Sequence, residues 1–287
     1  VRYSICYLFL SFLVFGSCSP RTNVTLSQSV RSYKKLVSYE PFGIIESPTK
    51  RMSHKDFIAR VEVKDGGFST NCDYRTVKSI AKSEAQKIGG NCIVIREHKK
   101  PGLSSTCHRI KADVYRIDHP ETYEKEILWH KDRKLKVRDF KASAQNRSHL
   151  AVTASSFSYN IKSVGTFSKD YIVEAHTYFS CDLSYFKKTD MDLSTLAHEQ
   201  IHFDITELYA RIFLKKIKSK ARNIDEALEK SDAIMRTIVR QLQEKQNAYD
   251  KQVYPDRSKQ KIWDSWIKAE LLKYQSYASK IIKVESY

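Results

Sequence analysis

Residues 193–212 read Leu193-Ser194-Thr195-Leu196-Ala197-His198-Glu199-Gln200-Ile201-His202-Phe203-Asp204-Ile205-Thr206-Glu207-Leu208-Tyr209-Ala210-Arg211-Ile212. Leu193, Leu196, Ala197, Ile201, Ile205, Leu208 and Ile212 recur at intervals of three and four, the spacing of one helical face, and Asp192 stands where an N-cap belongs. On such a helix His198 and His202 lie about 40° apart around the axis, so both imidazoles leave one face and can grip a single ion. Glu199 is their neighbour, placed to act as general base toward a water at that ion. The pattern predicts a Zn2+ site. Against it stands the plainer reading of two surface histidines on a charged helix, which the length and amphipathic stripe of this helix disfavour.

The run from His198 to Arg211 resembles the signature of DUF922, a bacterial family of predicted secreted zinc-dependent proteases. Looser similarity surrounds it. Arg133-Lys134-Leu135 with Asp139-Phe140 resembles the start of the family, Ala151 to Tyr159 its next strand, and Tyr249-Asp250 followed by Gln260 and Trp263 its C-terminal part, over roughly residues 127–275. The resemblance implies a secreted zinc-dependent peptidase. After its Tyr-Asp the family often continues with Thr and then His-Gly, whereas this chain reads Gln252-Val253-Tyr254-Pro255-Asp256.

A catalytic zinc normally has three protein ligands and a water. Asp204 and Glu207 are turned away from the histidine face by about 200° and about 140°, and Asp204 is expected to pair with Arg211 on a face of its own. The third ligand should come from a second helix folding back: Asp250 first, then Glu244, then Glu226. Tyr249 is a candidate for polarising a substrate carbonyl, with simple packing as its alternative. His130 and His176 read as ordinary surface or strand residues.

Around this helix, Ala151 to Tyr159 and Tyr171 to Phe186 read as strands, and the stretch from Tyr171 to Cys181 is expected to hold an extended peptide by backbone pairing. Asn223 caps a helix with apolar residues Ile224, Leu228, Met235, Ile238 and Leu242, Pro255 breaks the chain, and Ile262 to Ile282 reads as a last helix. Toward the N-terminus, Phe57 to Val63 alternates as a strand, and Tyr74 to Ile88 has helical spacing ended by Gly89-Gly90. Cys92 to Ile95 is a short buried strand and Ile110 to Ile117 a further alternating one. A unit this small gains from a staple, and Cys72 opening the helix with Cys107 opening the last strand is the favoured disulfide, leaving Cys92 buried and reduced.

Arg2, the apolar run Ile5 to Phe15 and Gly16-Ser17-Cys18 read as a lipoprotein-type signal peptide, with Cys18 the acylated residue; an ordinary secretory signal is the alternative. The net charge of +17 comes without a run of five like charges or a nucleic-acid-binding motif, so it describes a basic surface rather than a nucleic-acid binder.

The expected class is α+β. Residues 1–17 form the signal and 18–50 a tether, 51–118 a small strand–helix–strand–strand domain, and 127–282 a zincin-like metallopeptidase domain. The expected function is hydrolysis of a peptide or protein substrate in the bacterial cell envelope by a membrane-anchored lipoprotein. The alternative is a non-catalytic envelope module that keeps a zincin-like fold for binding or scaffolding.

Overall fold

The computed structural model describes residues 20–26, 33–46, 52, 56–66, 72–103, 105–165, 168–187 and 193–286. The signal segment, Cys18 and Asp192 lie outside these residues. The chain is α+β, and its contacts divide it into two compact units, the second comprising Tyr39–Pro41 and Glu121–Tyr287.

The first unit is a sheet of β1 (Arg21–Leu26), β2 (Gly43–Ile45), β3 (Phe57–Lys64), β4 (Cys92–Lys99) and β5 (Arg109–Tyr115), ordered β1-β3-β5-β4-β2, with α1 (Tyr74–Lys87) against it. Every pairing is antiparallel except β2 with β4. The crossover through α1 therefore joins β3 to β4, which run parallel with β5 inserted between them. Asp73 starts the helix by accepting from Arg75 N (2.8 Å) and Thr76 N (3.1 Å). Gly89, at φ 81°, stops it: Gly89 N donates to Gln86 O and Gly90 N to Ala85 O. Val77, Ala81 and Ala85 bury their side chains against Val61, Val63, Ile93 and Val114. Cys72 and Cys107 are disulfide-bonded, with Cα atoms 5.1 Å apart, and Cys92 is a buried thiol outside any disulfide. The segment expected to be a tether contributes β1 and β2. β2 has three residues, too short for a period to show, and β1 carries only Val24 and Leu26 among polar residues.

The second unit centres on β9 (Tyr171–Ser180), whose alternate residues Tyr171, Val173, Ala175, Thr177 and Phe179 are buried. It pairs with β8 (Ser155–Ser163) on one side, and with β6 (Glu126–Leu128) and β11 (Ile281–Val284) on the other. The strand expected to receive a peptide is thus occupied along both sides and cannot take another partner. Two short strands, β7 (Ala151–Val152) and β10 (Tyr185–Phe186), pair separately, so each of the two long sequence-predicted strands is broken near one end.

Three helices complete the unit: α2 (Leu193–Lys220), α3 (Ile224–Val253) and α4 (Gln260–Lys273). Ile205, Leu208, Phe213, Leu214 and Ile217 of α2 are buried in the core beside Tyr171 and Val173, each contributing about 1.5–3 kcal/mol by leaving water. Asn223 accepts from Glu226 N at 3.0 Å and turns the chain into α3, while Tyr171 Oη donates to Ala221 O at 2.8 Å and pins that turn. The last predicted helix is shorter than expected. It ends at Lys273, and Ile281–Val284 forms β11, because Lys280 at φ 59° redirects the chain into the sheet. No helix among the described residues is long and apolar enough to cross a membrane.

Candidate metal centre

His198 and His202 leave one face of α2, one turn apart, as their spacing dictates, and α3 returns alongside with Asp250. His198 Nε2 lies 3.1 Å and His202 Nε2 2.9 Å from Asp250 Oδ1, and the two Nε2 atoms are 3.1 Å apart. One ligand atom from each of the three residues falls within 4.8 Å of the others, a set that could hold a metal ion. The alternatives on α3 are engaged elsewhere: Glu244 pairs with Arg240 at 2.6 Å and Glu226 with Lys230 at 2.7 Å.

The cluster is charged in a specific way. Burial opposes ionisation of Asp250, but the hydrogen bonds from His198 and His202 prevail and hold its carboxyl well below the usual carboxylate range. Burial alone would lower His202. Its bond to Asp250 and the charge of Glu199 outweigh that and raise it. Gln246, one turn before Asp250, fixes the ring. Its amide Nε2 donates to His202 O (2.9 Å) and Thr206 Oγ1 (3.3 Å), so its Oε1 accepts from His202 Nδ1 and Nε2 is the ring atom turned toward Asp250 and His198. Spacing could have revealed Gln246, since it shares the Asp250 face of α3 at i, i+4.

Glu199 is 3% exposed, and its Oε2 has no hydrogen-bond partner among the described residues; the same holds for His198 Nδ1. A buried carboxylate oxygen left without a donor, beside two imidazoles, suits a group that works on a small molecule in the site. Thr153 Oγ1 donates to the Glu199 carbonyl at 3.2 Å, and Ser155 Oγ lies 2.8 Å from Thr206 Oγ1, so the start of β8 runs beside the metal face of α2.

Of the two roles expected for it, Tyr249 takes packing and not the polarising of a substrate carbonyl. Fully buried, it stacks on His198 with ring centroids 4.5 Å apart and directs its hydroxyl to His198 O at 3.5 Å. It is a packing platform, backed by Trp263 at 5.1 Å. The exposed tyrosine at the site is Tyr254, the C-cap of α3, 5.3 Å from the His198 ring. Its partial desolvation and the charges of Asp250 and Glu199 push its pKa up to about 12, so it stays a donor at neutral pH. Sequence reading missed it because Tyr249, five residues earlier, carried the family resemblance.

Behind the metal face lies a buried polar rail. Trp129 Nε1 donates to Asp204 Oδ1 at 2.6 Å and Gln200 Nε2 to the same oxygen at 2.8 Å, while Leu135 N donates to Gln200 Oε1 at 2.8 Å. Arg211 pairs with Glu207 at 2.9 Å, correcting the expected Asp204 partner: the residue one turn away wins over the one two turns away. Lys280 Nζ sits 3.9 Å from Glu207 Oε2. Arg133 makes a bidentate pair with Asp139 (3.0 and 3.1 Å) and reaches Glu124 at 3.1 Å, which gives the Arg133 and Asp139 positions a structural role. His130 and His176 stand apart from the His198, His202 and Asp250 group: His176 faces Glu174 at 3.4 Å and His130 stacks on Tyr39 at 4.2 Å.

Residues 189–254 match the sequence model of a family described as a bacterial protein of unknown function, DUF922. The match spans the helix pair that carries the cluster, while the looser similarities at Arg133 to Phe140 and beyond Tyr254 lie outside the matched residues. No curated protein and no solved structure matches the chain.

Proposed function

We propose that this DUF922 segment forms the centre of a zinc-dependent metallopeptidase with a zincin-like fold. The observation that carries the reading is the meeting of His198, His202 and Asp250 within 4.8 Å, with the partnerless carboxylate oxygen of Glu199 buried on the same helix. Two imidazoles and one carboxylate are a donor set that suits a catalytic zinc. Bound there, zinc would lower the pKa of a water and polarise a peptide carbonyl.

The chain's own groups do the rest. Glu199 takes a proton from the attacking water and returns it to the leaving amine. The Tyr254 hydroxyl donates toward the carbonyl oxygen as charge gathers there. Gln246 keeps the His202 tautomer, and Tyr249 holds the His198 ring in plane. Thr153 and Ser155 bring the head of β8 to the same face, which gives an extended peptide a strand beside the reacting bond.

Metal analysis and peptide hydrolysis test the reading together. His198→Ala, His202→Ala and Asp250→Ala should each lose zinc, while Glu199→Gln keeps zinc and loses hydrolysis. Stoichiometric zinc without hydrolysis in the intact protein would turn the reading to a scaffold with a structural metal. The same proposal places the protein in the cell envelope through acylation of Cys18. Mass spectrometry of the mature N-terminus checks this, and a mature start at another residue refutes it.

A further inference from the structure

We infer that the site selects substrates bearing a carboxylate beside the scissile bond, an inference that rests on the metallopeptidase reading. Two cationic or titratable side chains, His149 and Arg257, lie on the Tyr254 ring next to the metal face, and Arg147 stands two residues before His149, over Tyr185. The loop between Ser143 and Leu150 turns at Asn146, φ 58°, and is held by Lys187 N donating to Leu150 O at 2.8 Å. It lays the Arg147 guanidinium over Tyr185 at 5.3 Å and stacks His149 on Tyr254 at 6.1 Å. From the other side, Pro255 ends α3 and Asp256 caps the following turn through Ser258 N at 3.1 Å, which carries Arg257 over the Tyr254 ring at 5.9 Å.

Arg147, His149, Tyr254 and Arg257 are all exposed, and the Tyr254 ring lies 5.3 Å from His198. Neither guanidinium has a carboxylate partner among the described residues. A guanidinium that lies on a ring keeps its in-plane N–H groups free, which is the geometry that receives a carboxylate through two parallel bonds. The inner carboxylates do not compete for it: Asp250 faces the two imidazoles, and Glu199 is 3% exposed. The field at the mouth is therefore set by the cations on the rim, and the net charge of +17 draws anionic chains from further away. An acidic side chain and a free C-terminal carboxylate share this chemistry.

The test uses the zinc-loaded protein and one quenched-fluorescence peptide made with Glu, Gln or Lys flanking the cleaved bond, each also as free acid and C-terminal amide. Cleavage should fall about five- to tenfold in kcat/KM from Glu to Gln and again to Lys. Loss on amidation alone would assign the preference to a terminal carboxylate. Arg147→Gln with Arg257→Gln should bring the three peptides to parity, and Arg147→Glu with Arg257→Glu should favour Lys. Anisotropy of the same labelled peptides on Glu199→Gln protein reads the preference without turnover. Equal cleavage and equal binding of all three overturn the inference and leave the peptidase reading intact. Selective binding of the Glu peptide to a protein that cleaves none supports the inference while removing the peptidase reading.

Discussion

Gln246 grips His202 at both ends of the residue: its amide oxygen accepts from the ring Nδ1, and its amide nitrogen donates to the His202 carbonyl at 2.9 Å. A side chain bound to the ring and the backbone of one ligand sets both its tautomer and its position. Gln246→Ala should therefore weaken zinc binding by about 10- to 100-fold with helix content retained. Competition titration with a chromogenic chelator reads this directly, and unchanged affinity would show that His202 orients itself.

The metal-free protein should be most stable in mildly acid solution. Asp250 titrates below its ordinary 3.8, so its contribution is complete above that value and is lost as pH falls through the depressed pKa. His202 titrates above its ordinary 6.5, so its contribution is complete below that value and is lost as pH rises through the raised pKa. Thermal melts of chelator-treated protein should peak between those two limits. His202→Ala should remove the alkaline decline, and a melt curve indifferent to that substitution would contradict the pairing.

How far the sequence carried the metal helix, and where it stopped, has physical causes. Two histidines one turn apart must share a face, so His198 and His202 with their neighbour Glu199 were legible from spacing. The absence of a carboxylate on that face pointed only to a later helix, with Asp250 the first of three candidates beside Glu244 and Glu226, and it is folding that brings Asp250 to the histidines. The identity of the useful tyrosine was not legible. Tyr249 and Tyr254 both flank Asp250, and which of them is buried depends on Trp263 and the turn at Pro255, contacts that arise only on folding. Ile281 to Val284 is a short apolar run with no period of its own, and only its pairing with Tyr171–Glu174 makes it a strand.

Glu207 is completely buried, with Arg211 and Lys280 as its counterions. Glu207→Ala leaves two cations in the core without their acid and should destabilise the unit by about 3–5 kcal/mol. Urea unfolding monitored by tryptophan fluorescence measures it. A loss under 1 kcal/mol would mean that Arg211 is satisfied by the Leu271 carbonyl, 2.8 Å away.

The Cys72–Cys107 bridge closes a loop across a sequence separation of 35. Replacing both residues with serine should cost the first unit about 3–4 kcal/mol while leaving zinc affinity unchanged. Calorimetry with metal analysis on the same sample separates the two effects; loss of zinc along with the bridge would tie the units together energetically.

Lys280 follows α2, α3 and α4 in the chain, yet it faces Glu207 on the helix that bears the metal ligands and also donates to Trp129 O at 3.0 Å. On a ribosome, α2 emerges long before this cation does. Until β11 is made, Glu207 has Arg211 alone, and the Trp129 carbonyl lacks the Lys280 donor. The back of the helix that bears His198 and His202 is thus completed only after β11 has been synthesised, and the buried Glu207 gains its second cation last.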